Sequence, residues 1–237
     1  MELVFPDKPL DYLVIAAHPD DAELAAGGAI LLLKSQGYSV GILDMTDGEP
    51  TPSGTPEIRA RETAEATRIL GVDWRGNLGL RNRYLRADLE ARGLLAGALR
   101  RLRPAILLAP YWEDAHPDHV AASALVDEAR FWSKLTKTDL PGMPHYPRKI
   151  IYYFSVHLRL HPKPSFILDI SAHIEAKMRA IACYQSQFVT GRPTSFPTIL
   201  DDLRDRARYW GWAIRRAYGE PFVCREDIGL SSLRDLS

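Results

Sequence analysis

Cysteine is nearly absent: the 237-residue chain carries two, Cys183 and Cys224, too few for a disulfide framework or a zinc ribbon. An excess of either charge is missing as well. Thirty Lys and Arg side chains cancel thirty Asp and Glu, which argues against the basic footprint of a nucleic-acid binder or a strong pull toward an anionic membrane. Long apolar runs are also lacking. The strongest near the start, Ala29-Ile30-Leu31-Leu32-Leu33, falls far short of the roughly 20 residues a spanning helix needs, and no basic-then-apolar leader precedes it. A glycine-rich phosphate loop is missing too. Gly27-Gly28 lies inside a helical stretch with no GxGxxG spacing, and close helix–sheet packing is the expected reason for that pair. These absences lead us to expect a cytoplasmic protein with neither nucleic acid nor membrane as partner.

What is present is an alternation of apolar runs and helical patterns. Strands are expected at Asp11–Ala17, Tyr38–Met45, Ala105–Pro110, Lys149–Val156 and Phe166–Ile170. Helices are expected at Glu23–Gln36, from Pro56 to Leu70, at Asp88–Arg103 and at Pro117–Trp132, then near Ala172–Tyr184 and Ile199–Tyr218. Gly37, Gly71 and Pro104 supply stop signals. In the second helix Ala60, Ala64, Thr67 and Leu70 are expected to share one side. The stretch RDRARYWGWAIRR (204–216) reads as an amphipathic helix packing Tyr209 and Trp212. Continuous apolar strands joined by helices imply an α/β fold: a Rossmann-like, mostly parallel sheet flanked by helices, with a mixed C-terminal part. No linker or repeat divides the chain, so residues 1–237 are read as one domain. Three polar or proline-rich loops stand out, at 46–55, 137–148 and 185–197.

Ligands of such sheets gather outside the carboxyl ends of the strands, and two unusual segments lie there. One is His18-Pro19-Asp20-Asp21, directly after YLVIAA; the other is Glu113-Asp114-Ala115-His116-Pro117-Asp118-His119, directly after AILLAPYW. His18 and Asp21 are three apart, as are His116 and His119, a spacing that turns paired ligands toward one point. Two imidazoles and a carboxylate around an open position suit a divalent ion, zinc above all, and an ion would pair charges that are costly to bury. Read singly, each segment is equally a helix cap followed by surface histidines. Two of them at strand ends of one sheet favour the metal.

The pair HPDDAE (His18–Glu23) and HPDH (His116–His119) resembles the signature of the PIG-L/LmbE-like deacetylases. These are metal-dependent enzymes that remove acetyl from N-acetylglucosaminyl groups. Thr46-Asp47-Gly48-Glu49, Gly54–Arg59, Asn77–Leu80, Tyr184–Phe188, Arg208–Gly211 and Tyr218–Phe222 resemble one branch in particular. That branch acts on N-acetyl-α-D-glucosaminyl L-malate in bacillithiol synthesis.

The resemblance implies a zinc-dependent N-deacetylase with His18, Asp21 and His119 as metal ligands. It makes Asp20 the general base, and His116 a general acid, as an imidazolium, or an oxyanion stabiliser. Asp118 would orient His116. The ligand set also admits Fe2+ or another divalent ion. Family habit further implies a homo-oligomer, with a small acetylated amino-sugar conjugate as partner.

Substrate recognition is assigned more loosely. Glu49 is a candidate for sugar hydroxyls. Arg59 either holds a carbonyl oxygen or substrate anion, or is a solvated first-turn residue. Tyr184 either reaches the reaction intermediate or is packing. Arg81 and Arg83 suit a malate carboxylate less well than they suit plain surface. Ala115 stands where relatives often carry arginine. Alternatives to the malate conjugate are chitobiose or inositol-linked sugars, a thiol-conjugate amide, or a binding module without catalysis.

Overall fold

The computed structural model of the chain describes residues 3–155, 157, 162–230 and 232. In chain order the elements are β1 (Tyr12–Ala16), α1 (Asp21–Ser35), β2 (Val40–Thr46), α2 (Pro56–Leu70), β3 (Trp74–Leu80), α3 (Leu89–Leu102) and β4 (Ile106–Pro110). There follow α4 (Pro117–Ser133), β5 (Lys149–Tyr153), β6 (Phe166–Asp169), α5 (Ile174–Ala182), α6 (Gln185–Phe188), α7 (Ile199–Ala213) and β7 (Gly219–Val223). The strands form one sheet in the order β3-β2-β1-β4-β5-β7-β6. The first five are parallel, and β7 and β6 complete the sheet antiparallel. The α/β expectation with a mixed C-terminal part is met. Among the described residues no helix is long and apolar enough to cross a membrane.

The central strands are continuously apolar because both faces of the sheet are covered. Leu13, Ile15, Leu43 and Met45 pack with Leu95 and Leu99 of α3 and Leu125 of α4. Val14, Ala16 and Ile42 pack on the other face with Ala25, Ala26 and Ala29 of α1. A third cluster, including Leu24, Ile170, Ile181 and Leu203, joins α1, α5 and α7. Local signals set the helix ends. Thr55 Oγ1 accepts from the Ile58 N–H, Pro56 opens α2, and Gly71 closes it in the left-handed region at φ 65°.

The close approach expected at Gly27-Gly28 is specific. A Cβ on Gly28 would lie 2.7 Å from Ile170, and the bare backbone there meets a buried carboxylate. Glu220 of β7 accepts from the N–H groups of Gly28 and Ala29 at 2.8 and 2.7 Å, and from Lys177 Nζ at 2.5 Å. Gly28→Ala is therefore expected to cost about 1–3 kcal/mol through overpacking. Urea unfolding would check it; an unchanged midpoint would show that Ile170 gives way freely.

Several elements differ from the sequence expectation. α1 begins two residues early, so Asp21 sits in its first turn. The inward face of α2 carries Arg59, Ala66 and Leu70, while Ala60 and Ala64 are exposed; that face looks toward polar groups as well as the core. In α7 the buried positions are Leu203, Ala207 and Trp210, and Tyr209 and Trp212 are exposed, because i, i+4, i+7 spacing turns Trp210 inward. Strands β3 and β7 and the short α6 were not anticipated. The last residue of the expected strand 149–156, Val156, lies outside the described residues.

Candidate active site

Strand β1 pairs with β2 on one side and β4 on the other, so the sheet order reverses between β1 and β4. That is the switch point where an open α/β sheet leaves a crevice. The β1–α1 turn brings His18 to Asp21 to this point, and the β4–α4 turn brings Asp114 to His119. His18 N–H donates to Asp21 Oδ2 at 2.9 Å, which ties the turn back on itself. Pro117 opens α4 at its first position, and His116 is its N-cap.

The three expected ligands converge. Asp21 Oδ2 lies 3.3 Å from His18 Nδ1, and Asp21 Oδ1 lies 3.2 Å from His119 Nε2. One ligand atom from each of the three falls within 4.8 Å of the others. All three residues are buried. The far ring nitrogens are also spoken for: His18 Nε2 lies 3.3 Å from Asp118 Oδ2, and His119 Nδ1 2.9 Å from Asp114 Oδ2. Each imidazole is thus backed by a carboxylate, the arrangement that fixes the tautomer of a metal-ligating histidine. His119 Nε2 is buried and faces Asp21 Oδ1 without the geometry of a hydrogen bond. Once deprotonated, a nitrogen placed in this way fits a divalent ion.

The electrostatics agree. Burial alone disfavours charge on the His18 imidazole, but Asp118 and Asp21 outweigh it and hold its pKa up at about 9. At His119, burial is likewise outweighed by Asp21 and Asp114, and the pKa rises to about 10. The pocket demands positive charge, and a divalent cation satisfies that demand. Burial and the like charges of His119 and His18 push His116 down to about 4. Its Nδ1 accepts from the Asp118 N–H at 3.2 Å, which leaves the proton on Nε2.

Asp118 takes a partner other than the expected one. Its carboxylate holds His18, not His116, and accepts from the Arg83 N–H at 2.7 Å; His116 receives only its backbone donor. A second cluster, His18 with His116 and Asp118, is equally compact, but those same bonds spend its donors.

Asp20 has an unusual backbone, with φ at 122°, a conformation that costs a non-glycine residue about 1–3 kcal/mol. Arg59 holds it there. The guanidinium donates to Asp20 Oδ2 at 2.9 Å and to the Pro19 carbonyl at 2.6 Å, and its Nε lies 3.3 Å from Glu49 Oε1. Arg59 is 3% exposed, which decides against the solvated reading. Burial, with Asp21 adjacent, raises the Asp20 carboxyl to about 7.

Glu49 is buried beside the site, but its carboxylate also accepts from the N–H and hydroxyl of Thr51. Tyr184 does not reach the crevice. It is fully buried, and its hydroxyl donates to Glu23 Oε1 at 3.0 Å, so packing is the correct alternative. Arg83 reaches the Pro50 carbonyl with its side chain, and Arg81 stacks on Tyr84.

Sequence reasoning missed three features. Asp114 is one, though an acidic residue five before His119 is a usable signal. His157, after β5, lies with its ring centroid 5.7 Å from that of His116 and 5.5 Å from that of His119. The third is a buried network behind α1. Arg75 of β3 binds Asp44 through Nε and Nη2 at 2.8 and 3.1 Å, and Glu23 through Nη1 at 2.6 Å.

Replacing His119 with glutamine is expected to lower the zinc kept after loading and dialysis to a small fraction of that kept by the unsubstituted chain, read by elemental analysis. Full retention of metal would remove His119 from the ligand set.

Comparison with known proteins places this geometry. A family profile described as GlcNAc-PI de-N-acetylase, PIG-L, matches residues 13–130. A diacetylchitobiose deacetylase of Thermococcus kodakarensis is 32% identical, covering 88% of this chain and 80% of its own. A 4-oxalmesaconate hydratase of Pseudomonas putida is 28% identical over 94% and 84% of the two chains. The crystal structure of a conserved protein from Thermus thermophilus superposes with a TM-score of 0.86 at 43% identity, covering 93% and 97%. A probable N-acetyl-α-D-glucosaminyl L-malate deacetylase of Bacillus cereus matches at 27%, covering 74% and 82%. The branch expected from the loop motifs is therefore not singled out.

Proposed function

The chain belongs to the PIG-L, or GlcNAc-PI de-N-acetylase, family, and from that premise we propose that it hydrolyses the acetamide of an N-acetylglucosaminyl conjugate, releasing acetate and a free amine. The observation that carries this reading is the triangle of His18, Asp21 and His119, whose ligand atoms converge on one point, beside a carboxylate, Asp20, that is not needed as a ligand. Zinc or another divalent ion held by those three residues would supply Lewis acidity toward the amide carbonyl and toward water.

The chain's own groups divide the remaining work. Asp20, clamped by Arg59, takes the proton of the attacking water and returns it to the leaving nitrogen. His116, neutral and carrying its proton on Nε2, donates to the oxygen that becomes negative in the tetrahedral stage. Asp118 and Asp114 keep the two ligand imidazoles in register. Arg59 acts through Asp20 rather than by binding the substrate anion.

Relatives named for diacetylchitobiose, inositol-linked and malate-linked sugars all match this chain. The malate conjugate thus stands beside the disaccharide as a candidate rather than ahead of it. Acetate release by zinc-loaded protein, measured on diacetylchitobiose, GlcNAc-malate and GlcNAc-inositol side by side, tests the proposal. Turnover of at least one supports it and ranks the substrates. No acetate from any, with metal bound, would overturn it and turn attention to water addition of the hydratase kind.

A further inference from the structure

The catalytic groups occupy the ends of β1 and β4, and the substrate's acetamide must lie there. Its sugar has to be met by polar groups that are not already committed. Toward β2 the two expected contacts are committed: Arg59 is spent on Asp20, Pro19 and Glu49, and Glu49 on Arg59 and Thr51. Asp118 and Asp114 are spent on the ligand histidines and on backbone N–H groups.

Toward β5 the situation is reversed. His157 follows the end of β5, the next strand beyond β4, and its ring touches both His116 and His119. His119 is fully buried and His116 partly so, whereas His157 is exposed. It therefore stands on the solvent side of the histidine cluster, at the mouth. Neither of its ring nitrogens has a hydrogen-bond partner among the described residues. The strand end that carries it is anchored, because Arg206 of α7 donates to the carbonyls of Phe154 and Ser155 at 3.1 and 2.9 Å.

We infer that His157 is a substrate-contacting residue that recognises hydroxyl groups of the sugar, so that the sugar is read over the β4–β5 side of the crevice rather than at Glu49. The inference rests on the proposed deacetylase reading for the placement of the acetamide. An imidazole offers one donor and one acceptor to a vicinal diol, and its exposed ring can be reached without displacing a hydrogen bond to any described residue. Such a residue strengthens binding of reactant and transition state alike.

The test uses the full-length, zinc-loaded chain carrying Asp20→Asn, so that ligand survives, and diacetylchitobiose as the probe in calorimetric titration. Adding His157→Ala is expected to raise Kd about three- to tenfold, the loss of one or two net hydrogen bonds. His157→Asn, which keeps a donor and an acceptor, should recover most of it. An unchanged Kd in the alanine variant overturns the inference. So does a loss that asparagine does not restore, which marks a packing role, and so does failure of the His157-containing protein to bind at all. Acetate release by the wild type is scored separately and bears on the proposed function, not on this residue.

Discussion

Asp20→Asn is expected to lower kcat for acetate release by about 10²–10⁴, the range contributed by a positioned general base, while zinc content and thermal midpoint stay near those of the wild type. Asparagine is nearly isosteric, and its side-chain oxygen can still accept from Arg59 Nη1, so the unusual backbone at φ 122° keeps its clamp. What disappears is the ability to take a proton from water. The ligand atoms of His18, Asp21 and His119 are untouched. Retained metal with lost turnover assigns Asp20 to the chemistry. Turnover within tenfold of the wild type removes it from that role, and loss of metal would make it a ligand instead. Arg59→Met reports on the same clamp, because it frees Asp20 and leaves Glu49 without its cation. A drop in kcat with an unchanged KM would confirm that the arginine positions the base; a raised KM alone would give it to the substrate.

Arg75→Met should be the most damaging single substitution for stability, at about 3–5 kcal/mol, since it strands buried carboxylates by removing one partner of an ion pair. Asp44 and Glu23 both depend on this guanidinium, and both are buried. Urea unfolding would show the loss as a lower midpoint with an unchanged slope. The sign of its pH dependence is fixed by Asp44, whose carboxyl is already raised by burial in spite of Arg75. Without the arginine it rises further. The deficit is complete above that folded-state pKa and shrinks as pH falls through it, because protonation relieves the stranded charge. A deficit that grew toward acid would contradict this account. Arg75→Met combined with Asp44→Asn should recover part of the loss, as expected for residues sharing one network.

The convergence of His18, Asp21 and His119 was legible in the sequence because polarity at the end of an apolar strand is costly, and two such breaks carried the same His-Pro-Asp order. The partners behind the ligands were not legible. Asp118 lies two residues from His116 but binds His18, which is far away in the chain, and only the pairing of β1 with β4 brings that carboxylate and that imidazole together. Tyr184 resembled a site residue for the opposite reason. The polar group its hydroxyl meets is Glu23, in the first turn of α1 and tied to Arg75 of β3.

Strand β3 escaped notice because Gly76 and Gly79 interrupt it and its inward positions carry Arg75 and Asn77, which serve polar partners. Strand β7 contains Pro221, normally a mark against an interior strand. It is tolerated because β5 pairs only with Phe222 and Val223. A lone histidine past an apolar run gave no sign that His157 would complete a cluster.

The grip of Glu220 on Gly28 and Ala29 bears on synthesis from the ribosome. Both His-Pro-Asp segments are made by residue 119, yet the carboxylate that fastens α1 arrives only with residue 220, in a strand that lies between β5 and β6. Until then the far edge of β5 is open, and the apolar cluster around Tyr153 lacks Phe222. Nascent chains expose such edges to one another. The chain thus carries both His-Pro-Asp segments long before it can close the sheet beneath them.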